Sequence, residues 1–418
     1  MKEDFVKEGM WSIDPEMSSS VYGRLIYDKI NGIRLELRGE IDGFNRANHT
    51  IYGQLFHNSI NVTLFGCKYV NQTDYHSPDI IAENCFIGAI FIDIKSIKII
   101  QANVQYYGLG DYIKETGITI SDFESKKVKF EYNRPKEKQI KTHNFDLHID
   151  IGCNSSFKAD WKKSGNKKFE FDEIITVKFK YHNVVSVNII SQDIRYFAFL
   201  IELLNNSIVF PEKIEFIIPD GTKIEYYYKN PYLREKFLST NEQYIDYAKI
   251  DLDEVVNNWF QRIESFKTFG NYKTISDLYH NLFDENRFQD SFVALETFYR
   301  EFRNASKKIY NKQKFLKLHQ EIPETIQNSI TDKLNKYCDI LVDSRNAFTH
   351  NDRKEKIIFK GPYIVKGTRN NEVLIKYLLL KELNLDQLIN HKSVDYDIET
   401  VIIKNALEYD QIIKNQLN

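Results

Sequence analysis

The sequence predicts an α+β protein, with an N-terminal β-sandwich-like domain followed by a C-terminal all-α helical bundle. From Trp11 to about Tyr228, short runs of alternating apolar and polar residues are separated by turn residues, which is typical of strands. Beyond Pro231 the apolar period changes from 2 to 3.6, which is typical of amphipathic helices. We therefore expect a β-rich domain over residues 1–230 and a helical domain over residues 231–418.

The composition supports this division and excludes several classes of protein. The chain has 418 residues, enough for two or three domains, and its 29 Phe and 26 Tyr fit a β-rich part with filled cores. A net charge of −2 excludes a globally basic nucleic-acid binder but permits a local basic cleft. The four cysteines lie far apart, so we expect reduced thiols, neither disulfide nor metal site, and no cofactor. Without an apolar signal core or an 18-residue apolar run, the prediction is a cytoplasmic protein with no membrane partner.

The strands of the first half are predicted from alternation and turn signals. Asn31-Gly32 and Asp220-Gly221 are two-residue hairpin signals, because both turn positions tolerate a positive φ. Strand spacing of this kind implies a sandwich or barrel-like domain. One helical segment, residues 193–204, interrupts it. The predicted strands are 33–39, 51–55, 61–66, 86–91 (with a close backbone approach at Gly88), 118–120, 127–132, 145–151, 168–171, 174–181, 214–218 and 223–228.

The helices of the second half follow apolar stripes. The first begins after Asp251 as N-cap, and the strongest covers about residues 287–306. A third begins near Pro323 and includes Phe348. After a basic loop over residues 353–371, a fourth helix is expected from Val373 and a fifth over residues 402–413. Together they predict a bundle of about 180 residues.

One polar residue lies on the strongest stripe, and one short motif ends the third helix. Glu296 is four residues after Phe292, so it should point towards the bundle, where a carboxylate needs a cationic partner; Arg345 is the natural one. Such a pair would either fix helix register or orient a phosphate-binding arginine, and the residues alone favour neither reading. Arg345 precedes His350 by five residues. Arginine binds phosphate with a planar fork and histidine moves protons near neutral pH, but chance alone supplies about one Arg–His spacing of four to six residues in a chain with 14 Arg and 10 His.

These pieces together resemble a known family. A bundle with Glu296 in Phe292-Val293-Ala294-Leu295-Glu296, followed by Arg345-Asn346-Ala347-Phe348-Thr349-His350, resembles the HEPN superfamily. Asn346 after the arginine and the leucine-rich segment 374–380 are similar to the ApeA-like HEPN group. The N-terminal half is similar to the domain that those proteins carry, through Gly9-Met10-Trp11, Pro15, residues 33–37, Tyr52-Gly53 and residues 62–64. The chain departs from the pattern at Ala347-Phe348, where a Tyr is expected.

The resemblance implies a metal-independent ribonuclease of prokaryotic defence that cuts host or phage RNA and aborts phage growth. It also implies a homodimer through the helical domain, with two motifs across a shared cleft. Cleavage by 2′-OH attack needs a base, an acid and a cation for the phosphorane, and one histidine does not easily supply both proton roles. We expect His350 to act as general acid and base, Arg345 to bind phosphate, Asn346 to orient the substrate or His350, and Glu296 to fix Arg345.

The geometry of this motif leaves two arrangements open. On a straight helix Arg345 and His350 lie about 140° apart. Either the helix ends near Phe348 and frees His350 to turn into the cleft, which we favour, or the two side chains reach phosphate from different subunits.

Two other functions remain open at this stage. The bundle could be a non-catalytic HEPN scaffold that binds RNA or a protein. Alternatively, the β domain could carry the main function as a ligand or phage-protein receptor; under the nuclease reading it would be the sensor that responds to a phage-derived trigger. Lys354, Lys356 and Lys360 either line an RNA groove or solvate a loop.

Overall fold

The computed structural model describes residues 4–28, 30–41, 43–44, 49–71, 79–121, 129–159, 167–229, 244–262, 284–303, 309–323, 331–350, 358–359 and 361–390. The chain divides into two compact units. The first contains Met1–Glu202, Ser207–Ser239 and Leu252–Asn257, and the second contains Leu203–Asn206, Thr240–Asp251 and Asn258–Asn418. The expected boundary after residue 230 lies outside the described residues and stays a prediction.

The first unit begins with a closed barrel of six strands. In chain order they are β1 (Phe5–Ser12), β2 (Val21–Asp28), β3 (Gly32–Leu37), β4 (His49–Leu55), β5 (Asn61–Asn71) and β6 (Asp79–Ala82). Neighbours around the barrel run β5-β4-β1-β2-β3-β6, and β6 pairs back onto β5. Trp11 is fully buried in its core, and a Cβ at Gly53 would collide with the Trp11 ring. Only a glycine on β4 therefore lets that ring pack.

An antiparallel sheet continues from the barrel. Its strands run β7-β15-β14-β8-β13-β12-β11, with β7 also pairing β5. They are β7 (Asn84–Ile87), β8 (Lys98–Tyr107), β11 (Lys138–Lys141), β12 (Phe145–Ala159), β13 (Lys167–Ser186), β14 (Phe210–Ile217) and β15 (Lys223–Tyr228). A short helix α1 (Leu109–Tyr112) and a two-stranded sheet of β9 (Ile118–Ser121) and β10 (Lys129–Tyr132) complete the set.

Helix α2 (Val187–Asn205) packs on this sheet through its apolar face. The Tyr106 hydroxyl on β8 donates to the carbonyl of Ile194 at 2.9 Å, and Phe197 lies against Tyr106 and Phe179. Ile194 and Phe197 are almost fully buried, as helical spacing requires of a face turned to a sheet. The helix predicted over residues 193–204 is present and begins six residues earlier.

The second unit is helical. Its helices are α3 (Leu252–Gln261), which begins in the first unit, α4 (Asp284–Phe302), α5 (Asn311–Gln320), α6 (Thr331–His350) and α7 (Pro362–Glu382). The predicted fold class, strands followed by a helical bundle, is confirmed, and the strand-rich part combines a barrel with an open sheet. Among the described residues, no helix is both long and apolar enough to span a membrane. The fifth predicted helix, residues 402–413, lies outside them.

Several predicted bounds are wrong. The strand predicted over residues 86–91 ends at Ile87, because Gly88 adopts a φ of +129° where the backbone of Lys223 approaches it. The two strands predicted over 168–171 and 174–181 are one strand, β13. The loop predicted up to residue 371 is also wrong from Pro362 onward, where α7 begins with proline in its first turn.

Candidate functional site

The candidate motif occupies the C-terminal end of α6. Ser344 and Ala347 are fully buried on the inner face of this helix, whereas Arg345 and Asn346 are half-buried beside it. The helix continues through Thr349, whose hydroxyl donates to the Arg345 carbonyl at 2.8 Å, and ends at His350. The expectation that the helix ends near Phe348 is therefore wrong. Helical geometry instead directs positions 345 and 350 about 140° apart.

A buried hydrogen bond fastens the chain beyond the motif to α6. The Ser344 hydroxyl donates to the Ile340 carbonyl at 2.6 Å and accepts from the Phe359 backbone N–H at 2.7 Å. The Phe359 ring is fully buried and lies edge-on to Phe288 at 5.6 Å. Phe359 thus holds a fixed place next to the motif helix.

Arg345 lies over an aromatic ring rather than beside a carboxylate. Its guanidinium carbon is 5.7 Å from the centre of the Phe292 ring, and its Nη1 donates to Asn346 Oδ1 at 3.3 Å. Phe292 is fully buried, and the centre of its ring is 4.3 Å from that of Phe315, so the guanidinium lies over a packed, apolar surface. Within the described residues, Arg345 has no carboxylate in ion-pair range.

Other arginines of this unit are neutralised. Arg287 holds Glu372 through three contacts of 2.8–3.1 Å. Arg303 bonds both Glu321, at 2.7 Å, and Glu382, at 2.6 Å. Against this background Arg345 has a cationic fork that remains available to an anion.

The expected partner of Glu296 is wrong. Its Oε1 accepts from Lys314 Nζ at 3.2 Å, with the two side chains 29% and 20% exposed. Lys314 belongs to α5, a helix that the apolar pattern did not reveal. Because Lys314 supplies the cation, Arg345 remains over Phe292, one turn before Glu296.

The bundle around the motif contains buried polar groups. Asn371 on α7 donates from Nδ2 to Ser291 Oγ at 2.9 Å, and both residues are fully buried. His319 on α5 is fully buried against the Tyr337 ring, and burial lowers the pKa of its imidazole to about 3. His319 is therefore neutral in the folded protein at neutral pH.

Sequence reasoning identified Arg345, Asn346, His350 and Glu296, and the structure brings the first two into contact. Of the His350 side chain nothing is described, and residues 351–357, with Lys354 and Lys356, and Lys360 lie outside the described residues. The reasoning missed Ser344 and Lys314. Ser344 could have been found from the sequence, because it lies three residues after Leu341 on an apolar stripe. A hydroxyl buried there needs a hydrogen-bond partner, just as the carboxylate of Glu296 needs a cation. Lys314 gave no such signal.

Comparison of the sequence with models of known families shows to which family the chain belongs. Residues 7–259 match ApeA N-terminal domain 1, and residues 258–387 match Apea-like HEPN. The chain belongs to the ApeA family. This membership confirms the resemblance, and HEPN domains are commonly ribonucleases, so the family indicates a nuclease and abortive-infection role for this ApeA-family chain. No curated protein and no solved structure matches the chain.

Proposed function

We propose that this chain is a metal-independent endoribonuclease of the anti-phage, abortive-infection type, which cleaves RNA by 2′-OH attack at a site shared by two subunits. One observation carries the proposal: inside an Apea-like HEPN domain, a half-buried arginine lies on an apolar ring with no carboxylate partner among the described residues. Such a guanidinium suits a phosphate, because leaving it half-buried without a counter-ion costs stability.

Arg345 binds the scissile phosphate and stabilises the charge of the phosphorane. Phe292 beneath it excludes water from one side, which strengthens a charge-assisted contact on the other. Asn346 orients the fork, since its amide oxygen already accepts from Nη1. The amide nitrogen of Asn346 then serves as a donor to substrate.

His350 transfers protons. In the step, the 2′-oxygen loses its proton to a base and forms a bond to phosphorus, while the bond from phosphorus to the 5′-oxygen breaks and an acid protonates the leaving oxygen. The products are a 2′,3′-cyclic phosphate and a 5′-hydroxyl. Because one imidazole does not easily act as base and acid in one step, two copies of His350 across a homodimer fill the two roles.

Glu296 acts as a positioning residue. By pairing with Lys314 it neutralises a lysine of α5, so that Arg345 is left as the cation over Phe292. Glu296→Gln should therefore reduce cleavage less than Arg345→Gln does.

The two predicted domains receive different roles in this proposal. The helical domain, residues 231–418, acts on host or phage RNA in the cytoplasm and forms the homodimer. The β domain, residues 1–230, is the sensor, with a phage-derived trigger as its proposed partner.

The test is cleavage of total RNA in the presence of EDTA by purified full-length protein. Wild type should give fragments ending in cyclic phosphate, and His350→Ala should give none while keeping its circular dichroism spectrum and mass in solution. His57→Ala, which changes an exposed histidine of the β domain, is the matched control and should cleave normally. Full cleavage by His350→Ala would refute the assignment, and RNA binding without cleavage by wild type would favour the scaffold function.

A further inference from the structure

Two phenol hydroxyls of the sheet bind consecutive residues of α2 in the first unit. Tyr181 on β13 donates to Oδ2 of Asp193 at 2.7 Å. Tyr106 on the neighbouring strand β8 donates to the carbonyl of Ile194 at 2.9 Å. Because Asp193 lies in the second turn of α2, these two bonds hold the N-terminal half of the helix on the sheet.

The half-buried carboxylate of Asp193 has phenols rather than a cation as its neighbours. The titratable groups that act on it within the described part of the chain are the hydroxyls of Tyr181 on β13 and Tyr106 on β8. The cation of α2 itself, Arg195, is exposed and donates to the Ser191 carbonyl at 3.3 Å. Asp193 is thus held on the sheet by a neutral donor.

A carboxylate on the opposite face of the same sheet shows the contrast. Side chains alternate along a strand, so Lys178, three residues before Tyr181, points away from the face that Tyr181 shares with α2. On that opposite face Asp150 accepts from Lys178 at 2.9 Å and from Arg134 at 2.6 Å. Burial opposes ionisation of Asp150, yet the hydrogen bonds from these two cations lower the pKa of its carboxyl below the ordinary value. Asp193 has no such compensation within the described residues.

The surroundings of Asp193 change its protonation equilibrium. Burial raises the pKa of its carboxyl to about 6 from 3.8, and the hydrogen bond from Tyr181 opposes only part of that rise. Burial and the nearby carboxylate also raise the pKa of Tyr181, which therefore stays a neutral donor in acidic and neutral solution. Since the pKa of Asp193 is higher in the folded than in the unfolded protein, stabilisation by this group is full below about pH 3.8 and is lost as the pH rises through about 6.

We propose that the contact between Asp193 and Tyr181 is a pH-sensitive attachment of α2, which holds the helix more tightly on the sheet when Asp193 is protonated. The neutral carboxyl avoids the cost of desolvating an ion, and its carbonyl oxygen still accepts from Tyr181. Ionisation keeps the hydrogen bond but adds a charge that lacks a cation. The attachment of α2 therefore loosens as the pH rises from 5 to 7. This proposal does not depend on the nuclease activity.

Hydrogen-exchange mass spectrometry of α2 peptides in the full-length protein tests the proposal. Asp193→Asn keeps an acceptor for the Tyr181 hydroxyl but does not ionise. At each pH the opening constant of wild type is divided by that of Asp193→Asn, which cancels the intrinsic exchange rate and the titration of other groups. With a pKa of about 6 in the attached helix and 3.8 in the open one, this ratio should rise about tenfold between pH 5 and pH 7. A ratio that stays constant over this range overturns the proposal.

Tyr181→Phe tests whether the phenol sets the pH range. Without the hydrogen bond that favours the carboxylate, the pKa of Asp193 should rise further, so the change should continue to higher pH. Between pH 6 and pH 8 the wild-type ratio should rise only about twofold. The corresponding ratio, of Tyr181→Phe to the variant that carries both substitutions, should rise more. An equal rise in the two ratios overturns the role of Tyr181.

Asp146→Asn is the matched control. Asp146 is a half-buried carboxylate of the same sheet, and it alternates along β12 with the buried Phe145 and Leu147, so it lies on the face away from α2. The ratio of Asp146→Asn to the variant that also carries Asp193→Asn should keep the rise of about tenfold between pH 5 and pH 7. Loss of the rise in this pair would overturn the assignment to Asp193.

Discussion

Substituting Ser344 by alanine tests how the chain beyond the motif is held. The change removes the oxygen that accepts from the Phe359 N–H at 2.7 Å. Since both residues are fully buried, water does not replace that acceptor, and the N–H is left unsatisfied. The cost of an unsatisfied buried donor is about 1–3 kcal/mol. The lost donation to the Ile340 carbonyl adds little, because that carbonyl can still accept the helical bond from the residue 344 N–H.

The consequence should be local and measurable. If the Phe359 amide exchanges through local opening, 1–3 kcal/mol of destabilisation accelerates its exchange about 5- to 150-fold. Hydrogen-exchange mass spectrometry of peptides that contain Phe359 measures this rate in the intact protein. The α2 helix of the other unit should keep its protection.

Thr349→Val is the matched control for this experiment. Its hydroxyl also donates to a carbonyl of α6, that of Arg345, but the side chain is exposed and water can replace it. We expect Phe359 exchange to change less than about twofold in this variant. Unchanged Phe359 exchange in Ser344→Ala, or equal acceleration in the control, would refute the claim that Ser344 fastens this segment.

Three further predictions concern the helical unit. Burial lowers the pKa of His319 in the folded protein to about 3 from 6.5, so its contribution to stability is full above pH 6.5 and is lost as the pH falls. The free energy of unfolding of the wild type, measured by denaturant titration, should therefore fall by about 2 kcal/mol between pH 7 and pH 5 from this group. In His319→Leu this part of the fall should be absent. Arg303→Gln removes one of two cationic partners from each of two partly buried carboxylates, because Glu321 keeps Lys381 and Glu382 keeps Arg262. The change should cost about 1–3 kcal/mol in the same assay, whereas the exposed change Arg300→Gln should cost under about 0.5 kcal/mol. Arg345→Gln should change activity far more than stability. Losing the contact with the Phe292 ring should lower the free energy of unfolding by at most about 1 kcal/mol, whereas RNA cleavage should fall about 100-fold or more.

Local turn and strand chemistry was readable from the sequence. The hairpins predicted at Asn31-Gly32 and Asp220-Gly221 are present, but the two-residue turns are wrong. Asp28 pairs with Gly32 and Ile217 with Lys223, so both connections are longer, and only the glycines have a positive φ, of +88° and +87°. The closure of the barrel was not readable, because it depends on β5 pairing with β6 as well as with β4 and β7. Nothing in one strand's alternation specifies how many neighbours it has.

Helix bounds failed where buried positions are polar. The first half of α7 was taken for a loop because the segment is basic and contains Gly361-Pro362; the polar residues Thr368 and Asn371 also lie within it. In the fold both are buried: Thr368 donates to the Ile364 carbonyl at 2.8 Å, and Asn371 donates to Ser291. The same cause explains the wrong partner for Glu296, since an inward carboxylate predicts a cation but not which helix supplies it. Arg345 and Asn346 were found because their chemistry is specific to a motif rather than to packing.

The continuation of α6 through His350 leads to the last prediction. Positions 345 and 350 diverge by about 140° on this helix, so one chain does not easily place both side chains on the same phosphate. If two copies of His350 act on one phosphate, a dimer of wild type with His350→Ala is inactive. Co-expression of the two chains then gives activity that falls with the square of the wild-type fraction, to about a quarter at equal amounts rather than about half.

The assay for this prediction is cleavage of a labelled RNA at constant total protein, with chain ratios measured by mass spectrometry. Arg300→Gln replaces His350→Ala in the control series and should leave activity constant at every ratio, because an exposed arginine outside the motif is changed. A quadratic decline requires that each active unit contain two intact chains. A linear decline would mean that each chain carries a complete site, and α6 would then have to present Arg345 and His350 to one phosphate despite their divergence.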